Sequence, residues 1–328
     1  DMIGPDFRVI EKVGEGTYCN AYSCVDKKTQ DVVIIKACRS KKENVEAAED
    51  EIKTMHKLNQ LDPHSHFFVR YYGHFIFEGH TCIIYEKLGY TLFHILESHD
   101  FRPFSIHAVR SFMWQIINAL HILHTNGIVH TDLKLENILL KYERMIDRDG
   151  FDMNTQKPST GIKLIDFGSS DSGTHWHKHL VTTRHYRAPE ILMGLKWGYE
   201  CDIWSLGCML VELSLGDIEF DSRDLVEHLF LIQHMIGPIP ISMWSRCTKR
   251  ELYGLARDGI LRIDDLPVDA RRYCARKPHL SELLSFDPYL ADLALSMLNP
   301  NMFKRPTTAD LLRHRFFSEY RDRRYNIH

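Results

Sequence analysis

No run of 18 or more apolar residues occurs in the 328-residue chain, which excludes a transmembrane helix of ordinary length. No opening stretch carries the charged, apolar and small-residue zones of a signal peptide. The start at Asp1-Met2 suggests a domain cut from a longer protein. Its eight cysteines (Cys19, Cys24, Cys38, Cys82, Cys201, Cys208, Cys247, Cys274) include no C-x-x-C pair, so they read as scattered reduced thiols of an intracellular protein rather than a disulfide framework. Internal repeats and low-complexity linkers are lacking too. Neither sign of charge dominates: 41 basic and 44 acidic side chains leave a net charge of −3, with no overall pull toward nucleic acid or membrane. What is present is ordinary globular composition, 44% hydrophobic and 26% charged. The length suits one two-lobed enzyme as well as two domains.

The first part of the chain reads as strands. Phe7–Val13, Ala21–Asp26 and Val32–Ala37 are short apolar or β-branched runs split by turn residues. Asn44–Leu58 places Ala48, Ile52 and Met55 at helical spacing amid charges, predicting an amphipathic helix. Strands are expected again at Phe67–Phe75 and Thr81–Tyr85. Beyond Glu86 the pattern turns helical. Ser105 is a suitable N-cap for a helix Ile106–Thr125, which Asn126-Gly127 ends. Asp202–Leu215 is apolar on nearly all sides, as a buried central helix must be. The polar stretch Tyr142–Gly161 is expected to protrude as an insertion. Strands first and helices later predict a small β-rich lobe on a larger α lobe, with a cleft between.

Chemistry is concentrated in a few short segments. Gly14-Glu15-Gly16-Thr17-Tyr18-Cys19 lies between two predicted strands, where glycines let backbone amides approach phosphate oxygens. Alone, an ordinary hairpin turn explains it more simply. A dinucleotide fold would need a helix next, and Ala21–Asp26 reads as strand. Lys36 ends the run Val32–Ile35; it is either an edge-strand lysine with its head in water or a cation for nucleotide phosphates, held by Glu51 on the following helix. His130-Thr131-Asp132-Leu133-Lys134-Leu135-Glu136-Asn137 is the decisive stretch. Asp132 can accept a hydroxyl proton, Lys134 can steady a phosphoryl group, and Asn137 offers the hard oxygen that magnesium prefers. A polar surface loop would not explain Asp166-Phe167-Gly168 after the strand Ile162–Ile165. There Asp166 supplies a second metal ligand and Gly168 is expected to let the backbone turn.

With Ala188-Pro189-Glu190 following, the five pieces in this order resemble the eukaryotic protein-kinase signature set, from about Phe7 to Phe317. His130-Thr131-Asp132, where most protein kinases have His-Arg-Asp, is similar to the LAMMER/CLK family of the CMGC group. So is Thr183-Arg184-His185-Tyr186-Arg187-Ala188-Pro189-Glu190. Glu227–Pro240 keeps that family's E-H-L start and G-P-x-P end while its centre has drifted. Such divergence resembles the kinetoplastid CLK-like kinases, which associate with kinetochores. The resemblance implies an α+β fold with one bilobal kinase domain over 1–328: an N-lobe about 7–88 and a C-lobe about 89–320, with inserts near 142–161 and 216–280. It implies ATP and Mg2+ as cofactors, Asn137 and Asp166 as metal ligands, and Asp132, Lys134, Lys36, Glu51 and Thr183 as the catalytic set. Val13, Gly14, Gly16, Cys19, Ala21, Ile34, Leu139 and Ile165 would line the nucleotide pocket, with Tyr85 as gatekeeper and Glu86 and Leu88 as hinge. Glu136 and Arg187 would face the substrate, Glu136 pairing with an arginine upstream of the target hydroxyl. Glu190 would pair with Arg305, and Asp202 would bind catalytic-loop amides. The implied protein is a serine/threonine kinase with dual specificity toward tyrosine. It would be a monomer that acts on protein substrates without direct nucleic-acid or membrane contact, resident in the nucleus and also in the cytoplasm.

Departures from the family pattern carry expectations of their own. Cys19 replaces the third glycine and is expected to be open to electrophiles beside the nucleotide. Ala21 and Ile34 exchange the usual sizes of two adenine-contacting residues, a volume-conserving swap that reshapes the pocket roof. Thr131 removes the arginine that pairs with an activating phosphate in many kinases, which predicts activity without that phosphorylation. The loop Asp171–Leu180, with His175, His177 and His179, reads as solvated polar residues ahead of a metal site. The basic stretch Arg313–Arg324 reads as a solvated helix end rather than a nucleic-acid patch. A pseudokinase scaffold and a small-molecule kinase are the rival readings. The intact set of Lys36, Glu51, Asp132, Lys134, Asn137 and Asp166 opposes the first; Thr183 and Ala188-Pro189-Glu190 oppose the second.

Overall fold

Six short strands within the first 86 residues build an antiparallel sheet. The computed structural model describes residues 1–322 apart from Thr17, Gly173, Thr174, His175, Trp176, Lys178 and Arg257; Arg323 and Arg324 of the basic stretch therefore lie outside the described residues, as do Thr17 of the glycine loop and His175. The strands are β1 Met2–Ile3, β2 Phe7–Glu15, β3 Cys19–Asp26, β4 Val32–Cys38, β5 Tyr71–Phe77 and β6 His80–Glu86, in the order β1-β2-β3-β4-β6-β5. Register decides which side chains meet. Cys19 opposes Cys38, Ala21 opposes Lys36, Ile34 opposes Tyr85 and Lys36 opposes Ile83. Directly opposed residues share a face, so all of these project to one side of the sheet. The other face buries Phe7, Cys24, Val33, Ile35 and Cys82 in a core of its own.

Helix α1, Lys42–Leu61, is longer at both ends than the periodicity predicts and packs Ala48, Ile52, Met55 and Leu58 inward. Glu51 lies on that same apolar stripe and is buried with them, which only a partner on the sheet can compensate. The strand expected from Phe67 begins instead at Tyr71. The carboxylate of Asp62 accepts the amides of His66, Phe67 and Phe68 at 2.7–3.2 Å. Phe67 and Val69 exchange backbone bonds with Leu164 of the other lobe. A turn of side-chain and cross-lobe bonding thus displaces the sheet ladder.

The second lobe is helical. Helix α2, Leu92–Ser98, is capped by Thr91. Helix α3, Ile106–Thr125, starts at Ser105, whose hydroxyl accepts from Ala108 N, and its face Val109, Phe112, Met113, Ile116, Leu120 and Leu123 is buried. Short strands follow: β7 Ile128–Val129, β8 Ile138–Leu140, β9 Ile162–Leu164 and β10 Asp171–Ser172, pairing β8 with β9 and β7 with β10. Helices α4 Pro189–Leu192, α5 Glu200–Leu215 and α6 Leu225–Met235 come next. Helix α5 is buried almost throughout and ends at Gly216. That residue has φ +78° and a side chain there would strike Phe101 O, so glycine is required twice over.

One expectation about the surface needs correction. Residues 142–161 do not simply protrude. Arg148 O accepts from Ser105 N, Thr160 bonds Ser111 and Gln115 of α3, and Ile146 and Asp152 are buried. The polar composition serves these bonds. In the described part of the basic C-terminal stretch Arg313, Arg315 and Arg321 are exposed at a helix end, as expected, while Phe316, Phe317 and Tyr320 are buried, the latter two against Trp114. Among the described residues no helix is long and apolar enough to cross a membrane.

Candidate active site

Lys36 leaves β4 on the cleft face of the sheet and meets Glu51, its Nζ lying 2.9 Å from both carboxylate oxygens. The same ammonium is 2.9 Å from Asp166 Oδ1, across the lobes. Side-chain exposure is only 17% for Lys36 and 4% for Glu51, so neither charge could stand there unpaired. Burial by itself would lower the pKa of the Lys36 ammonium, but the charges of Glu51 and Asp166 outweigh it and hold the group well above its ordinary value. Lys36 in turn holds the carboxyl of Asp166 below the usual range. Tyr85, one strand over, adds a bond that sequence motifs do not show: its hydroxyl donates to Glu51 Oε1 at 2.8 Å.

Gly168 sits against this cluster. A β-carbon there would lie 2.9 Å from Glu51 Oε2 and 3.4 Å from Lys36 Nζ. The glycine is needed for close approach rather than for a turn. The left-handed backbone belongs to Asp166 itself, with φ +62°.

The second group gathers around Asp132. Its Oδ1 accepts from the Thr183 hydroxyl at 2.8 Å and from Thr183 N at 3.2 Å. Its Oδ2 is 2.9 Å from Lys134 Nζ, which also donates to the Thr183 hydroxyl at 3.2 Å. Asn137 donates through Nδ2 to Asp132 O at 2.8 Å, which orients its amide group. The two groups are stitched together by main chain, since Asn137 O accepts from Ile165 N, the residue before Asp166. Asp166 and Asn137 are hard oxygen donors, the chemistry a magnesium ion demands, so the residues fit the implied metal.

Helix α5 supplies the support. Asp202 accepts His130 N at 2.8 Å and His124 Nε2 at 2.9 Å on one oxygen, and Thr131 N at 2.9 Å on the other. These bonds hold Thr131 at φ +70°, a conformation costing a β-branched residue about 1–3 kcal/mol. The Thr131 hydroxyl then donates to Ser169 O at 2.6 Å. Where an arginine would reach for a phosphate, this chain ties its catalytic loop directly to the residues after Phe167. Glu190 and Arg305 pair through two bonds of 2.6 and 2.8 Å with both side chains fully buried.

The remaining predicted residues fall around these groups. Cys19, Ala21, Ile34 and Tyr85 share the face that carries Lys36. Val13 is the extra residue of a bulge between Lys12 and Gly14 and is 47% exposed. Gly16 N bonds Cys19 O at 2.8 Å, closing the loop. Leu139 and Ile165 are partly buried against the main core, and Leu88 is within it. The Glu86 side chain is committed elsewhere, accepting from Arg70 N at 2.6 Å and Lys163 Nζ at 2.5 Å. Lys163 of β9 thus clamps the segment joining the lobes, a role sequence reasoning missed. A lysine within an otherwise apolar strand was the available signal. Glu136 Oε2 is enclosed and has no hydrogen-bond partner among the described residues. Arg187 donates to Val181 O and Thr182 O at 3.0 and 2.6 Å. The Cys19 thiol is lowered to about 7, chiefly by a hydrogen bond from Cys38, against the opposing effect of burial and with help from Lys36.

The protein kinase domain model matches residues 7–317. Serine/threonine-protein kinase AFC1 of Arabidopsis thaliana is 34% identical over 343 residues, covering 98% of this chain and 73% of that protein. Dual specificity protein kinase CLK1 of Mus musculus is 35% identical over 332 residues, covering 97% of this chain and 67% of that protein. The crystal structure of the PF14_0431 kinase domain has a TM-score of 0.85 at 29% identity, covering 97% of each chain. A signature set of kinase residues on a kinase fold, with relatives of this similarity over nearly its whole length, means that the chain belongs to the protein kinase domain family, as a CLK-type serine/threonine kinase of the CMGC group.

Proposed function

We propose that the domain transfers the γ-phosphoryl group of Mg-ATP to serine and threonine hydroxyls in arginine-flanked protein sites. The observation that carries the reading is the convergence of Lys36, Glu51 and Asp166 at 2.9 Å beside an Asp132 already hydrogen-bonded to Lys134 and Thr183. Lys36, steadied by Glu51, holds the nucleotide phosphates. Asp166 and Asn137 would hold magnesium, which would supply positive charge to offset that of the phosphates. Ala21, Ile34 and Val13 cover the base, Leu139 and Ile165 lie beneath it, and the backbone of Glu86 and Leu88 hydrogen-bonds its edge. Asp132 orients the incoming hydroxyl and takes its proton. Lys134 balances charge on the moving group, and Thr183 fixes both. Catalysis then rests on position and preorganised charge.

Arginine preference is supported by Glu136, a partly exposed carboxylate on the loop that bears Asp132, where an acid suits a guanidinium donor. Arg187 shapes the substrate-facing segment through the carbonyls of Val181 and Thr182. Tyrosine phosphorylation, a monomeric state, and residence in nucleus and cytoplasm belong to the same proposal and are supported by family membership; kinetochore association is supported by the drifted centre of Glu227–Pro240, which resembles the kinetoplastid CLK-like kinases.

The test is turnover of labelled ATP with three peptides carrying arginine, lysine or alanine upstream of one serine. Asp132→Asn should lower kcat by about 10²–10⁴-fold while nucleotide binding persists. Glu136→Gln should cut the arginine-over-alanine preference by about tenfold. Nucleotide binding without turnover on any basic protein would replace this reading with a scaffold.

A further inference from the structure

Of the histidines after β10, His177 and His179 are gathered against Asp171 rather than standing apart. Asp171, His177 and His179 bring three ligand atoms within 4.8 Å of one another. His177 Nδ1 is 3.3 Å and His179 Nε2 3.4 Å from the same oxygen, Asp171 Oδ2. Charge-assisted N–H···O bonds are shorter, about 2.7–2.9 Å. A tetrahedral ion with bonds of about 2.0–2.1 Å separates its ligands by about 3.3–3.4 Å. The two distances match that edge.

The orientation of the rings agrees. His177 Nε2 lies 2.6 Å from Ser172 O, an acceptor that places the ring hydrogen on Nε2. In the neutral ring Nδ1 then turns a lone pair toward a carboxylate, which a cation between them relieves. Metal-bound histidines commonly donate their other N–H to a carbonyl in this way. Trp197 holds the rest in place. Its buried ring is 4.7 Å from the ring of His177 and 5.0 Å from that of His179. Its backbone bonds His177 in both directions, at 3.2 and 3.0 Å, and its indole nitrogen donates to His179 O at 2.9 Å. The backbone carrying both ligands is therefore fastened to the second lobe.

We propose that Asp171, His177 and His179 form a zinc site with an open fourth position. Two imidazoles and a carboxylate suit Zn2+, whereas Mg2+ prefers an all-oxygen shell. The site is thus chemically separate from Asn137 and Asp166. A bound ion would tie Asp171 of β10 to His177 and His179, just ahead of Val181–Thr183, the segment that meets Asp132. Zinc would steady the segment on which Thr183 stands.

The test uses the metal-free 328-residue chain titrated with ZnCl2 by calorimetry and with CoCl2 by visible absorption. Wild type should take up zinc at this site and give the intense cobalt bands of a tetrahedral centre; excess Mg2+ should not displace either ion. His179→Gln should weaken zinc binding by about tenfold or more and abolish the cobalt bands. Asp171→Asn should weaken zinc likewise. His179 is 55% exposed, so its replacement leaves the fold intact, with an unshifted Tm as the check. Zinc should also slow proteolysis between Asp166 and Glu190 in wild type and not in the variant. Superimposable titrations of wild type and variant, no uptake of zinc, or protection that survives His179→Gln would each overturn the proposal.

Discussion

The hydroxyl of Tyr85 donates to Glu51 at 2.8 Å, and the same carboxylate grips Lys36 through both oxygens. Tyr85 is thus bonded into the Lys36–Glu51 pair rather than merely packed beside it. Glu51 is buried on an apolar helix face, and Lys36 alone leaves part of its oxygens' capacity unused. A hydrogen bond to a buried carboxylate contributes about 1.5–3 kcal/mol. Tyr85→Phe keeps the ring and removes only that donor. It should lower Tm by about 2–4 °C and raise KM for ATP several-fold, with a smaller change in kcat. Unchanged melting and unchanged KM would show that the bond holds nothing in place.

Cys19 should alkylate with a pH midpoint near its lowered value of about 7. The physical cause is Cys38 across the β3–β4 ladder, with Lys36 adding positive charge against the cost of burial. Reaction with iodoacetamide, followed by intact-mass analysis across pH 5.5–9, should follow thiolate formation and be slowed by ATP. Cys38→Ala should move the midpoint upward. A midpoint that stays put in Cys38→Ala, or labelling that ATP leaves unaltered, would remove Cys19 from the pocket chemistry.

Local order made much of the site readable, and distant pairing hid the rest. Lys36, Asp132, Asn137 and Asp166 stand in short segments whose spacing states their chemistry, α3 declares itself by periodicity and by Ser105 and Asn126-Gly127 at its ends, and α5 by a run apolar on nearly all sides. Glu86 and Lys163 are 77 residues apart, and Thr131 and Ser169 are 38 apart. No spacing rule joins such pairs. The strand expected at Phe67 failed for the same reason, because Leu164 of the other lobe takes the backbone bonds. Alternating histidines were unreadable without Trp197, which decides whether they are solvated or gathered.

Glu212 should make the second lobe less stable as pH rises. Burial pushes its carboxyl up to about 7, with the Tyr186 hydroxyl, 2.6 Å away, working against the shift. Between about pH 4.5 and 7 the folded state therefore holds a proton that the unfolded chain has lost. Stability from this group is complete below that window, falls through it, and is gone above it. Glu212→Gln keeps an acceptor for Tyr186 and cannot ionise. Relative to wild type, its stability should be near unchanged at pH 4.5 and higher at pH 8 by about 3 kcal/mol. Parallel melting curves at the two pH values would show that Glu212 is not the titrating group.

Thr131 decides whether the kinase needs an activating phosphate. In place of an arginine it offers a fully buried hydroxyl bonded to Ser169 O at 2.6 Å, and Asp202 fixes its amide. That bond links the loop bearing Asp132 to the residues after Asp166 without any added charge. Phosphatase treatment should therefore leave turnover within about twofold, since no cation at this position awaits a phosphate. Thr131→Val preserves the shape and deletes the donor, stranding a carbonyl at a cost of about 1–3 kcal/mol. It should lower kcat/KM by about tenfold while the phosphatase-treated variant and its untreated form stay equal. Loss of turnover in wild type after dephosphorylation would mean that the segment is ordered from elsewhere and that the Thr131–Ser169 tie is not sufficient.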